Sequence, residues 1–468
     1  MSAVVIRSER DVIDFVQAHP TGSARTRILM LIALGSVFGD AYDLSSIGIG
    51  IASLRAEMQL TAVQVGMVTS ITAVGALVSS LLGGYIADRT GRFKLFIISG
   101  VLLVLAPIGA AFAPSYEVLV LWRLVIGIAI GLDMPVAFSF MAELVNTRGK
   151  ARWMNFWQPA STVAVMGAAL VALPVYFAGA SDDLWRWTVG LGAVPALVVV
   201  VLRLVYAEES PLWAVKHQGL HAAAKILEKS YRVTTVVEAD EAKPARDDGY
   251  RLSTIFNRKF RARTVLASMV AGMQAMQYYA IGFYLPVIAG LIFGTDLVAI
   301  VLATVTVHTF ALVAGLLQTQ LVERFGLWKL TFIGFVIVAV ALVVLGSVGG
   351  TVWQAVPLVT VGVVGILMFG HAFGPGPQSK TLAALSYPTE YRGLGTGWAE
   401  TAGRVGGIIG LFLFPVMLDN LGEGPTMLLL ALAPAAAVVT LLLIRWEPAG
   451  QDVEDDALDR EHPTRSTA

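Results

Sequence analysis

Asp40 and Asp43 stand three residues apart in Gly39-Asp-Ala-Tyr-Asp-Leu44, inside a mostly apolar run that begins at Ile28. That spacing puts both carboxylates on one face of a helix. Asp40 lies 13 residues beyond Arg27, which at 1.5 Å per residue is about 20 Å along the axis. An ionisable side chain at such a depth in hydrocarbon costs several kcal/mol unless it is paired or hydrated, so it is a functional candidate. A carboxylate there can take and release a proton in step with a change of conformation. The plainer alternative is a hydrated pair held by neighbouring helices. Asp133, two residues before Pro135 in a later apolar run, is a third candidate for proton coupling, and Arg123 is placed to pair with an acid in one state of a cycle.

Candidate ligand contacts lie in other runs. Gln274, Gln277 and Tyr278 share one helical face, about 16 Å past Arg263. Amide and phenol groups suit hydrogen bonding to a small polar ligand; the competing reading is polar glue between helices. Arg404 lies about 16 Å past Gly393, and its guanidinium can grip a carboxylate through two parallel hydrogen bonds. Glu400, one turn earlier, offers Arg404 an internal partner instead. Gln158, in Trp157-Gln-Pro159, joins the substrate-binding candidates. Lys380 follows Gly374-Pro-Gly-Pro377 near one end of its run and is expected to snorkel. His308 and His371 are single histidines on apolar helices and read as packing residues; no metal site is expected.

The elements that must position these groups follow from composition. The chain has 468 residues, 56% hydrophobic and 14% charged, with a mean hydropathy of +0.73. A soluble chain is about a quarter charged. Apolar runs follow one another, each reaching the ~20 residues that cross a bilayer core as a helix. Continuous runs rather than ten-residue alternation exclude a β-barrel. The fold class expected is an all-α integral membrane protein with twelve transmembrane helices in two pseudo-symmetric six-helix halves. Spans 1 to 6 are placed at about 27–53, 61–87, 93–113, 117–145, 151–178 and 186–206, and spans 7 to 12 at about 263–291, 296–321, 328–348, 353–386, 393–418 and 425–446. The division is then a cytoplasmic segment 1–26, a first half 27–206, a cytoplasmic connector 207–262, a second half 263–446 and a disordered acidic tail 447–468. Arg7 to Ala18 could form an amphipathic surface helix around Val12, Ile13 and Phe15.

Charge fixes the orientation. Of the 33 Lys and Arg, Arg55 and Arg186 fall in loops on the far face, Arg123, Lys380 and Arg404 fall within spans, and the other 28 lie at or near the opposite face. The positive-inside rule makes that face cytoplasmic, with both termini inside, and the richness in Ala, Val and Gly with no cysteine suggests a bacterial inner membrane protein. With no cysteine, disulfide frameworks and thiol catalysis are excluded.

The halves repeat. The loop after span 2 reads Gly84-Tyr-Ile-Ala-Asp88-Arg89-Thr-Gly91-Arg92-Phe-Lys94; at an offset of 235 residues Glu323, Arg324, Gly326 and Lys329 recur in the same spacing. Arg148-Gly149 after span 4 is matched by Arg392-Gly393 after span 10. Such a repeat predicts a transporter with its substrate site between the halves. The first loop matches G-x-x-x-D-R-x-G-R-x-K at each fixed position, and on it the chain resembles the major facilitator superfamily. That resemblance implies that Gly84, Asp88, Arg89, Gly91 and Arg92, with Glu143, Arg148, Glu323, Arg324 and Arg392, form a conformational latch remote from substrate.

Finer resemblances point several ways. Asp40-Ala-Tyr-Asp43 is similar to the first helix of phosphate:proton and aromatic-acid:proton symporters, which implies proton coupling. Gly131-Leu-Asp133-Met134-Pro135 resembles the G-G-D-Y-P of phosphate symporters with Met134 in place of tyrosine. Span 7 resembles the sugar-porter Q-Q…Y-Y and lacks the aspartate of phosphate symporters. Span 11, with Gly397-Trp398 and Gly403-Arg404, is similar to aromatic-acid symporters and organic-anion transporters, where the matching arginine is implicated in binding the anion. Glu209-Ser-Pro-Leu-Trp213 resembles the sugar-porter P-E-S-P-R-W.

The expectation placed first is a secondary active transporter taking up a small organic anion, such as a carboxylate, with protons by alternating access. A sugar or polyol:proton symporter is the alternative, then phosphate uptake; from a different class, a non-transporting nutrient sensor has the same fold. No phosphate-cradling loop or nucleophile elbow is present, so no enzyme and no ATP-driven pump is read. No cofactor is expected, the drive being a proton gradient, although Asp40 and Asp43 could also ligate sodium. The expected partners are a small-molecule substrate, protons and lipid, with no nucleic acid, and the protein is expected to be a monomer.

Overall fold

The computed structural model describes residues 4–18, 24–90, 92–144, 156–206, 218–231, 233–238 and 252–448, with Glu209, Pro211, Ala214, Val215 and Val453. The chain is an all-α membrane protein. Span 1 is Ala24–Met58, span 2 Ala62–Thr90, span 3 Arg92–Ala111, span 4 Tyr116–Leu144 and span 5 Trp157–Phe177. Span 6 is divided into Leu184–Gly190 and Ala193–Tyr206. In the second half span 7 is Arg261–Gly282 followed by Leu285–Phe293, with a 43° bend between them. Spans 8 and 9 are Leu297–Phe325 and Leu327–Ala355, and span 10 is Pro357–Phe373 with Pro375–Leu385. Span 11 is Thr389–Leu421, and span 12 is Glu423–Leu430 with Leu432–Leu443. Among the described residues nine helical stretches are long and apolar enough to cross a bilayer, ten with the bent pair of span 7. Ala24–Met58 and Tyr116–Leu144 are the helices that carry Asp40, Asp43, Arg123 and Asp133.

The helix breaks have local causes. Pro286 begins the second piece of span 7, and Pro375 opens the second piece of span 10 at Gly374. Proline has no N–H to continue a preceding helix but fits its first turn. Within span 9, Gly349 adopts φ 72°, a conformation that glycine takes without steric cost.

Two compact units are distinguished by their internal contacts. One comprises Met1–Asp43, Val74–Ala160 and Val189–Asp248; the other comprises Leu44–Ala73, Ser161–Thr188 and Gly249–Ala468. The units cut across the two halves expected from the repeat. The far ends of spans 1, 2 and 5 group with the second half because they pack on it, as Ile49, Ala169 and Ala172 do around Val301. The first unit has a core of Met30, Ile32, Ala33, Leu95, Phe96 and Ala137. The core of the second includes Leu266, Val270, Phe335, Leu382, Ala399 and Leu441. Leu31, Leu204, Leu358 and Leu443 are exposed, as suits side chains that meet lipid tails.

The N-terminal segment departs from the expected surface helix. Glu9–Ala18 is helical, but Val12, Phe15 and Val16 are buried against Ala223, Ala224 and Leu227 of the connector helix Leu220–Tyr231. Its apolar face is therefore covered by protein rather than by membrane. Ahead of it, β1 (Val4–Ile6) pairs in parallel with β2 (Thr235–Val237) in the connector. Arg7 pairs with Glu238 at 3.0 Å beside this ribbon.

Candidate functional site

In the first unit two buried ion pairs cross the helices. Arg123 of span 4 donates from Nη1 to Oδ2 of Asp43 at 2.7 Å, and the side chains are 0% and 6% exposed. Asp40 lies one turn before Asp43 on span 1 and is partly buried. The pair joins spans 1 and 4 through opposite charges withdrawn from water, where breaking it costs far more than at a surface.

Asp133 is engaged differently. Arg203 of span 6 reaches it with both terminal nitrogens, at 2.7 and 2.8 Å, and the Ser99 hydroxyl donates to it at 2.6 Å. The same guanidinium donates to the Phe96 carbonyl and the Ser36 hydroxyl, and lies 3.6 Å from the centre of the Phe96 ring. Spans 1, 3, 4 and 6 therefore meet at one neutralised group. Sequence reasoning counted Arg203 among the basic residues of the cytoplasmic face, because it lies close to the end of its span. The signal that could have found it is charge balance: Asp133 needs a cation at its own depth. Gln158, a candidate ligand contact, is 2% exposed in this unit.

In the second unit the polar side chains of span 7 bind to span 10. Gln277 Nε2 lies 2.7 Å from Nδ1 of His371, and the Tyr278 ring stacks on His371 with centroids 4.3 Å apart. Gln277 is 0% exposed and Tyr278 8%, and both make contacts between spans 7 and 10. Gln274, one turn earlier, is partly buried. An amide pair buried between spans 8 and 10 has Gln378 Nε2 donating to Gln318 Oε1 at 2.9 Å. His308 is buried on span 8, its Nδ1 2.9 Å from the Thr304 carbonyl oxygen.

Arg404 faces an acid of its own helix. Its Nε is 3.6 Å from Glu400 Oε1, while Lys380 Nζ is 3.7 Å from Glu400 Oε2. Lys380 thus reaches Glu400 instead of merely snorkelling. Close helix approach sets this level: span 11 packs Gly403 and Gly406 against the backbone of Ala271 and Gly272 in span 7.

Of the latch residues, Gly91 and Arg148 lie outside the described residues, and so do the side chains of Gly84, Asp88, Arg89, Arg92 and Glu143. Glu323 and Arg324 are exposed at the end of span 8, and Arg392 is partly buried at the start of span 11. A further part of the repeat appears beside them. Glu209 accepts from the Phe93 N–H at the start of span 3, and Glu447 accepts from Leu327 and Trp328 at the start of span 9. A carboxylate there satisfies orphan N–H groups and the positive end of the helix dipole. Glu447 escaped sequence reasoning, which assigned it to the tail.

Comparison with known proteins gives one family and many relatives. Residues 14–455 match the family described as sugar (and other) transporter. The inner membrane metabolite transport protein YgcS of Escherichia coli is 28% identical over 417 residues, 89% of this chain and 90% of that one. The arabinose-proton symporter of Escherichia coli is 28% identical over 393 residues, 81% of each chain. The xylose transporter XylE from E. coli, in a partially occluded inward open conformation, superposes with a TM-score of 0.74 over 92% of this chain and 100% of that one at 19% identity.

Proposed function

We propose, for a chain that belongs to the sugar (and other) transporter family, the proton-coupled symport of a neutral sugar or polyol. The Asp43–Arg123 pair carries the proton-coupled part of this reading. A proton on Asp43 discharges the carboxylate and frees Arg123 to separate from it; removing only one charge of a buried pair typically costs about 3–5 kcal/mol. Proton transfer and movement of span 4 against span 1 are thereby tied together. Asp133, held by Arg203 and Ser99, serves as the clamp that keeps these spans in register.

The substrate class follows from the second half and from the relatives. Arg404, the group expected to grip an organic anion, already faces Glu400. The buried polar groups of spans 7, 8 and 10, Gln277, Tyr278, Gln318, His371 and Gln378, are uncharged amides, a phenol and an imidazole, chemistry that matches hydroxyl groups better than a carboxylate. Relatives named as an arabinose-proton symporter and as a D-xylose transporter favour the same choice. Gln274, partly buried on span 7, is the side chain proposed to reach the sugar.

Thermal shift of the purified protein tests the class, because a ligand of the native state stabilises it by mass action, about 2.7 kcal/mol at a hundred times Kd. D-xylose, L-arabinose or D-glucose should raise Tm, and simple carboxylates and phosphate should not. The double variant Glu400→Gln with Arg404→Gln should keep the sugar response. A response to carboxylates alone, lost with Arg404, would return the organic anion to first place.

A further inference from the structure

Span 10 breaks at Gly374, and Pro375 opens its second piece. His371 sits just before that break, 2% exposed, and three contacts fix its ring. Its Nδ1 lies 2.7 Å from Gln277 Nε2 of span 7. Its face stacks on the Tyr278 ring, with centroids 4.3 Å apart and the planes 8° from parallel. Its Nε2 folds back over Gly376, where an added Cβ would come within 2.9 Å of it. A side chain at Gly376 would therefore displace the imidazole. The tautomer follows from the first contact. An amide nitrogen donates and has no lone pair to offer, so Nδ1 must accept and the ring proton sits on Nε2. The other half of the amide is left over. Gln277 Oε1 is buried with no hydrogen-bond partner among the described residues, and an acceptor kept that way is costly. Gln274, the side chain proposed to reach the sugar, lies one turn earlier on the same face of span 7.

We propose that His371 is a positioning residue for substrate selection: by holding Nε2 of Gln277 it turns the amide so that Oε1 is the atom span 7 offers to a ligand hydroxyl. A hydroxyl can donate to Oε1, whereas an ionised carboxylate carries acceptors only and finds no partner there. With the amide reversed, its two N–H groups would face the ligand and the preference would invert. Substrate class thus depends on a histidine that need not touch the substrate. A site that accepts from a hydroxyl also rejects an analogue lacking it, because the acceptor then stays buried and unpaired. Stacking on Tyr278 serves the same end, since it keeps the imidazole plane, and with it the Nδ1 lone pair, aimed at the amide. This role of His371 rests on the sugar reading of the substrate and names the residue that enforces it.

Two measurements test it, one without sugar and one with. The chain has six histidines. In protein labelled with 15N-histidine, the correlations of each ring nitrogen with the ring protons distinguish the tautomers, and His371→Asn identifies the His371 signals by their loss. The expected pattern is an unprotonated Nδ1 and a protonated Nε2; a protonated Nδ1 would overturn the role. Exchange of D-xylose, L-arabinose and D-glucose in proteoliposomes supplies the second readout. His371→Phe keeps a ring against Tyr278 and removes the acceptor, so KM should rise about tenfold, the size of one lost buried hydrogen bond, with Vmax within about twofold of the parent. His371→Asn can still accept from Gln277 through Oδ1, and its KM should stay within about threefold of the parent. Gln277→Leu removes the amide itself; adding His371→Phe should then raise KM no further, because His371 acts through that amide. If His371→Phe does not fold, Gly376→Ala, which displaces the imidazole, takes its place in both comparisons. Effects of His371→Phe and Gln277→Leu that multiply, or a parental KM in His371→Phe, would overturn the positioning role while leaving the sugar reading intact. A parent that exchanges none of the three sugars would overturn the sugar reading and this role with it.

Discussion

Asp133→Asn would leave the Arg203 guanidinium buried beside a neutral amide, with Ser36, Ser99 and the Phe96 carbonyl still around it. A stranded buried charge typically costs about 3–5 kcal/mol. The expected outcome is a protein with a clearly lowered Tm in detergent; Arg203→Met with Asp133→Leu, which removes both charges, should recover most of it. Asp43→Asn strands Arg123, 0% exposed, in the same way and should also lower Tm; it differs in that coupling should be lost while exchange of sugar remains. A single sequence shows which ionisable groups stand within apolar runs, and so it exposed Asp40, Asp43, Arg123, Asp133 and Arg404. It does not show which face of each helix meets which neighbour. For that reason Arg203 was missed, and Gln277 and Tyr278 stayed open between ligand contact and polar glue; in the structure both touch His371 of span 10.

At the scale of elements, the apolar runs located the described span ends to within seven residues, the largest gap being at the end of span 9, because long, mostly apolar stretches leave few alternatives. The N-terminal ribbon was invisible for the opposite reason. Its strands are three residues each, Val4–Ile6 and Thr235–Val237, and they lie more than two hundred residues apart in the chain. Only the shared core of Ile6, Val12, Phe15, Ala223 and Leu227 makes them a unit. Ile6→Asp would place an unpaired charge in that core, at a cost of several kcal/mol that so small a cluster cannot absorb. Hydrogen exchange should then show the amides of 235–237 and of the helix Leu220–Tyr231 losing protection together, with the spans unaffected. Protection retained in the connector helix would show that it folds without the N-terminal strand.

At the scale of the whole molecule, the repeat seen in the loops reappears as paired carboxylate caps, Glu209 on span 3 and Glu447 on span 9, and the family match covers residues 14–455. Chain-wide pattern thus carried the fold and the transporter class, whereas substrate choice depends on a few side chains whose partners are set by packing. The central claim is that sugar movement is tied to a proton through Asp43. Its most direct test is sugar uptake by proteoliposomes under an imposed pH gradient, alkaline inside and with no membrane potential, comparing the parent with Asp43→Asn. One pH unit is worth about 1.4 kcal/mol, so a symporter moving one proton per sugar should concentrate it about tenfold. The parent should reach that accumulation, and Asp43→Asn should exchange labelled sugar without concentrating it. Accumulation by Asp43→Asn equal to that of the parent would contradict the account.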